Sequence, residues 1–251
     1  MFDPIIEALI SIHQDLPRKG PGSDELVRRM IQHLMPLLPT HPEMADMGCG
    51  NGHAARMLAG MLKGHVTAID FAPPFIQELQ VWLAEHALQN HITPQVGDML
   101  ASGLAANSCD LIWSEGAAYS VGVEQALQNW FELLKPGGFV VYSDCCWLTT
   151  EPSAPATAFW QENYPDMCSV GESITRAEAL GYRFCSAEKL PSQTWWTSYY
   201  DPLKKRLDQL SEQADSNAVL AEVIAESYRE QALFEQHHKE YGYIFFIVQK
   251  P

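Results

Sequence analysis

The sequence is poor in positive charge: 16 Lys and Arg stand against 31 Asp and Glu, a formal net charge of −15 over 251 residues. Phosphate backbones repel such a chain, so nucleic-acid binding would require a local basic patch. The densest basic run, Lys204-Lys205-Arg206, is short and reads as a solvated helix face, and no nucleic-acid partner is expected. Long apolar runs are missing too, and nothing approaches the roughly 20 residues that span a bilayer. Met1-Phe2-Asp3-Pro4 lacks the basic start of a secretory signal. Cysteine is sparse, at 49, 109, 145, 146, 168 and 185, with no zinc spacing and no dense secreted framework. We expect free thiols in a reducing cytoplasm, with Cys145 and Cys146 pointing to opposite faces of one strand. No His-x-x-x-His pair stands beside a carboxylate, so no metal site is expected, and no repeat or low-complexity segment is visible.

What is present is ordinary for a soluble fold: 47% hydrophobic and 19% charged residues. Ile5, Ile6, Leu9, Ile10 and Ile12 suggest an amphipathic helix over 5–13. A polar break, Pro17-Arg18-Lys19-Gly20-Pro21-Gly22, follows, after which Ser23 or Asp24 caps a second helix ended by Pro36, Pro39 and Pro42. The chain then alternates. Strands are expected at 43–47, 65–70, 92–97, 109–113 and 138–145, with helices at 53–63, 74–89 and 122–135. That rhythm reads as a parallel sheet with crossover helices. Beyond residue 150 we expect helices at 156–163 and 174–180, a strand at 182–188, strong helix over 202–238 and a last strand, Tyr241–Val248.

The first strand runs into Asp46-Met47-Gly48-Cys49-Gly50-Asn51-Gly52. Alternate glycines imply a tight turn or a close ligand, and the helix that follows offers amide donors to an anionic group. Gly50-Asn51-Gly52-His53-Ala54-Ala55 also fits the dinucleotide fingerprint, and Asp70 lies at the second strand end, where a carboxylate grips ribose. Two acids separate the candidates. Asp46, two residues before the first glycine, would repel a pyrophosphate and attract an ammonium group. Asp98 ends the third strand, where it can accept from an exocyclic amino group. A ligand with ammonium, carboxylate, ribose and adenine in a row is S-adenosylmethionine.

Ala45–Gly52 resembles motif I of the class I S-adenosylmethionine-dependent methyltransferases. Ala68-Ile69-Asp70 is similar to their ribose-binding strand end, Gly97-Asp98-Met99 to their adenine contact, and Leu134-Lys135-Pro136-Gly137-Gly138 to the turn before their fifth strand. The resemblance covers 43–145. It implies an α/β, Rossmann-like, seven-stranded mixed sheet, its last strand antiparallel, with helices on both faces. A narrower likeness, carried by Gly20-Pro21-Gly22-Ser23, Trp113–Ala117 and Tyr241–Phe246, is to a bacterial subgroup akin to quinone-biosynthesis C-methyltransferases.

The resulting expectation is one domain: an N-terminal cap (1–42), a cofactor-binding core (43–150) and a helical insertion or lid (198–240). S-adenosylmethionine is held by Ser23, Asp46, Gly48, Gly50, Gly52, Asp70, Phe71, Asp98, Met99 and Ser114. Ser23 is weighed as a contact to the methionine carboxylate against a plain helix cap. Glu115 and Tyr119, after the fourth strand, are the candidate catalytic residues. Trp147, Trp195, Trp196 and Tyr199 are candidates for an enclosed apolar pocket around a small-molecule methyl acceptor, and a homodimer is compatible with the sequence. Two other readings stay open here: an NAD(P)-dependent Rossmann oxidoreductase, for which no hydride-transfer set is evident, and a non-catalytic module that binds S-adenosylmethionine.

Overall fold

β1 (Glu43–Met47), β2 (His65–Asp70), β3 (Ile92–Val96) and β4 (Cys109–Ser114) form the parallel half of one sheet in a computed structural model that describes residues 2–86 and 88–251. β5 (Leu134–Trp147) continues it in parallel. β6 (Cys168–Ser169) makes a short parallel pairing with the end of β5. β7 (Arg183–Lys189) and β8 (Tyr241–Gln249) complete the order β3-β2-β1-β4-β5-β8-β7, with β8 antiparallel to both neighbours. The expected mixed sheet is therefore present, and β6 adds an eighth strand off its main path.

Helices cover both faces. α3 (His53–Leu62) and α4 (Pro73–Glu85) return the chain between the first strands, and α5 (Val123–Leu133) between β4 and β5. Two separate hydrophobic clusters result. Cys145 belongs to the one that includes α3 and α4, and Cys146 to the one that includes α5, as the two-residue period of a strand requires.

The N-terminal cap consists of α1 (Pro4–His13) and α2 (Asp24–Leu34). Asp3 caps α1 by accepting from the Ile5 amide (2.9 Å), and Ser23 caps α2 by accepting from Leu26 (3.3 Å). α6 (Ala154–Asn163) and α7 (Val170–Ala179) follow β5, and a reciprocal Ser169–Glu172 box starts α7 four residues earlier than the periodicity suggests.

The segment 202–238 is not one helix. A short α8 (Ser192–Trp195) runs into a π-helical turn over Trp196–Tyr200, then α9 (Asp201–Ala214) and α10 (Ala218–His237). Asn217 breaks the run because its side chain caps α10 at the Leu220 amide (3.1 Å). α4 likewise ends at Glu85, short of the expected residue 89, where His86 turns back to stack on Trp82; residue 87 of that stretch lies outside the described residues. β5 begins at Leu134 rather than 138, because Leu134 already pairs with Cys109 of β4 before the register shifts and the ladder resumes at Phe139. No helix among the described residues is long and apolar enough to cross a membrane.

Candidate active site

The carboxyl ends of β1, β2 and β4 surround a cavity of about 670 Å³. Asp46 sits at the end of β1, opposite Trp113 in the register, and Asp70 at the end of β2. Gly48 (φ +72°), Gly50 (φ +55°) and Gly52 (φ +76°) take the left-handed conformations that the glycine spacing implies. The turn's amides are engaged within the protein. Gly48 and Cys49 both donate to the Ile69 carbonyl (2.9 Å each), Gly52 to Cys49 (2.8 Å), and Gly50 to Asp70 Oδ2 (2.8 Å). Asp46 Oδ2 takes the Ala55 amide in the first turn of α3 (3.0 Å). The expected bed of amides for an anionic group is thus largely closed, and a pyrophosphate would find acids where it needs donors.

Asp70 is the best-prepared acceptor. Its oxygens take the Gly50 amide and the Ala72 amide (2.9 Å), which fixes the carboxylate while each oxygen keeps accepting capacity toward the cavity. Burial raises its pKa, and the Ala72 and Gly50 amides oppose that rise. Asp46 is pushed well above the carboxylate range by burial and then by the neighbouring Glu115. Asp98, Met99 and Phe71 also line the cavity; Asp98 Oδ1 accepts from the Leu100 amide (2.8 Å), and Phe71 is exposed against Phe2.

Several expected residues stand elsewhere. Ser23 is outside the lining and acts as the α2 cap, so its carboxylate contact is not supported. Gly52 turns the chain into α3 but does not line the cavity; a Cβ there would meet Leu79 Cδ1 at 2.6 Å. Ser114 is fully buried behind the wall with its hydroxyl unpartnered. Glu115 does face the cavity, yet both oxygens are engaged: Oε2 by Arg18 Nη1 (3.0 Å) and Oε1 by Trp113 Nε1 (2.8 Å). Both contacts hold the Glu115 carboxylate in one position.

The loop 17–22, a polar break in the sequence, forms a wall of this site, and its Arg18 and Lys19 were not among the expected contacts. Arg18 is buried and bridges Glu115 and Asp24 (2.6 Å). Lys19 Nζ donates to the His13 and Leu16 carbonyls (2.9 and 3.2 Å) and pairs with Glu78 (2.6 Å). Asn51 of the glycine turn donates to the Leu16 carbonyl (3.1 Å), and the Gly22 amide reaches Ser198 of the π-helical turn (3.3 Å). The signal was visible only as two cations in a Pro/Gly loop, which reads equally well as a linker.

A second cavity of about 540 Å³ shares with the first the walls made by Leu9, His13, Lys19, Gly20, Pro21, Gly116 and Tyr119. Tyr119 stands at this junction, half-exposed and beside Tyr164 (ring centroids 5.7 Å apart). Trp195 and Tyr199 line the second cavity, as expected of an acceptor pocket; Trp147 and Trp196 do not. Trp147 packs instead against Tyr241, and Trp196 against Tyr200. Nor is the pocket simply apolar: Glu162, Glu222, Glu226 and Glu230 are part of its wall. His13 Nδ1 donates to the Leu9 carbonyl (2.7 Å), which leaves Nε2 to accept from the Tyr199 hydroxyl (2.7 Å). Burial lowers His13 to about 4, so the ring is neutral near pH 7.

Residues 44–138 match the family model described as a methyltransferase domain. Over that stretch the chain is similar to methyltransferase domains. It is 25% identical over 163 residues to a probable chloroplastic tocopherol O-methyltransferase of Oryza sativa, covering 61% of this chain and 44% of that protein. To phosphoethanolamine N-methyltransferase 1 of Triticum aestivum it is 26% identical over 210 residues, 82% of this chain and 40% of that protein. The chain thus spans less than half the length of either relative. An S-adenosylmethionine-dependent methyltransferase from Geobacter sulfurreducens, solved with S-adenosylhomocysteine, superposes with a TM-score of 0.81 at 18% identity, covering 100% of this chain and 99% of that one. At that identity the likeness establishes the methyltransferase fold. The relatives include both O- and N-methyltransferases and do not narrow the domain to the quinone subgroup.

Proposed function

We propose that the protein transfers the methyl group of S-adenosylmethionine to a small-molecule acceptor held in the second cavity. The observation that carries this reading is the junction at Gly116 and Tyr119, where the strand-end cavity of the methyltransferase domain opens onto an aromatic-walled one. The first cavity fits the cofactor by its donor set. Asp70 would accept from the ribose hydroxyls and Asp98 from the adenine amino group. Arg18 and Lys19, paired with Glu115 and Glu78, frame the cavity, and the acidic wall of Asp46 and Glu115 suits the ammonium of the methionine moiety. When bound, the cofactor supplies an activated methyl on a sulfonium.

The residues of this chain do the rest by alignment and exclusion of water. Tyr119 and Gly116 bound the passage between the cavities, and Tyr119 offers a hydroxyl donor there. Glu115 acts as a positioning residue through Arg18. The 1–42 cap and the 198–240 insertion meet over the acceptor through the His13–Tyr199 bond, which is the arrangement of a lid. Titration calorimetry tests the cofactor: S-adenosylmethionine and S-adenosylhomocysteine bind, and NAD does not. Label transfer from methyl-labelled cofactor into a metabolite extract tests turnover. Absence of S-adenosylhomocysteine binding, or binding without any label transfer, would overturn the enzyme reading.

A further inference from the structure

The walls of the second cavity are strongly acidic. Glu222, Glu226 and Glu230 recur every fourth residue along α10 and line the cavity, with Glu162 contributed by α6. Like charges at that spacing repel, costing a helix a few tenths of a kcal/mol per pair. Glu226 and Glu230 are half-buried where they line the cavity, and Glu222 and Glu162 stand at its exposed rim. Two of the four are answered: Arg229 pairs with Glu162 (3.1 Å) and Glu226 (3.2 Å) while its guanidinium stacks on Phe159. Glu222 and Glu230 make no ion pair among the described residues; Glu230 has only the Tyr200 hydroxyl, at 2.6 Å. The one cation in the lining, Lys19, is already paired with Glu78.

The rest of the lining is aromatic. Tyr119, Tyr164, Trp160, Trp195, Tyr199 and Tyr243 present rings to the same space. Aromatic faces attract cations through their quadrupole, most strongly where water is excluded. Rings and carboxylates without a cationic partner form a consistent set for a ligand that carries an ammonium group. A phosphorylated ligand would meet four carboxylates and no free cation.

We propose that the acceptor cavity selects molecules bearing a positively charged amine and disfavours those bearing a phosphate. This inference rests on the reading of the second cavity as the acceptor site of a methyltransferase. Choline, its uncharged isostere 3,3-dimethylbutan-1-ol and phosphocholine serve as probes of the full chain, titrated with and without S-adenosylhomocysteine. Choline should bind at least about tenfold more tightly than the isostere, with phosphocholine weakest. Glu222→Gln and Glu230→Gln should each weaken choline several-fold, leaving the isostere and S-adenosylhomocysteine unchanged; the latter doubles as the folding control. Equal affinity for choline and the isostere, no choline binding, or full choline affinity in both variants overturns the proposal. If S-adenosylhomocysteine fails to bind while choline selectivity holds, the cofactor reading falls and the cation site stands. The reverse pattern sinks only the present inference.

Discussion

Gly48→Ala should separate backbone strain from packing at the cofactor turn. Gly48 has φ +72°, a conformation that costs an L-residue about 1–2 kcal/mol. A Cβ built there overlaps that of Ala117 and lies 3.2 Å from Met99 Cε. The methionine can swing aside; the alanine methyl, fixed to the backbone after β4, cannot. Overpacking of this kind costs roughly 1–3 kcal/mol, so the substitution should lose about 2–5 kcal/mol in all, a large share of a typical 5–15 kcal/mol. Ala117→Gly removes the obstructing methyl at a cost of about 0.5–1 kcal/mol. The double variant should therefore regain the packing part but not the strain, with a coupling of about 1–3 kcal/mol. Equilibrium urea unfolding of the four proteins measures it. Because Gly48 and Ala117 both line the cavity, Gly48→Ala should also weaken S-adenosylhomocysteine in titration calorimetry. If the two substitutions add within about 0.5 kcal/mol, the β1 turn is not pressed against the β4 loop and the cavity drawn here is wrong.

Asp70→Ala should weaken S-adenosylhomocysteine by about 10- to 150-fold, the loss of a charge-assisted hydrogen bond of roughly 1.5–3 kcal/mol, and it should also destabilise the fold by stranding the Gly50 and Ala72 amides; unchanged affinity in a folded variant refutes the ribose role. Glu115→Gln keeps an acceptor for Arg18, so turnover in the extract assay should fall by less than about tenfold, whereas a loss of two orders of magnitude or more would make Glu115 the base after all. Burial holds His13 near 4, below its ordinary 6.5, so the unfolded chain binds the extra proton first and stability present above about pH 6.5 is lost as pH falls toward 4, by up to about 3 kcal/mol. A His13→Asn variant should lack that part of the pH dependence of the urea midpoint, and an identical profile refutes it. Hydrogen exchange should show α9 and α10 gaining protection when S-adenosylhomocysteine and choline bind together; protection already maximal without ligand identifies a static layer instead of a lid.

The core was legible because each of its signals is local. Asp46, Gly48, Gly50 and Asp70 fall within one strand-turn-helix-strand unit, and sheet geometry brings the strand ends together whatever the rest of the chain does. Short strand segments between helical stretches placed the central strands to within a few residues, and these are buried almost throughout. Boundaries went astray where side chains intervene: Asn217 cuts the long helix, Ser169 and Glu172 start α7 early, and His86 folds back on α4. Sequence left two readings each for Ser23 and Glu115 for a related reason. Each has a partner close in the fold, the Leu26 amide for one and Arg18 for the other, that claims the side chain before a ligand can.

The acceptor cavity was barely legible because no single stretch of sequence encodes it. His13 comes from α1, Tyr119 from the turn after β4, Tyr164 from just beyond α6, Tyr199 from the π-helical turn and Glu230 from α10. A π-helical turn widens the helix by one residue, and here it lies at the ligand wall, where such turns often occur. The same assembly explains why the loop 17–22 matters. It is held on one side by Asn51 of the cofactor turn and on the other by Ser198 of the π-helical turn, and Lys19, Gly20 and Pro21 belong to the walls of both cavities. Through that loop the glycine turn, the π-helical turn and both cavities share contacts a few residues long.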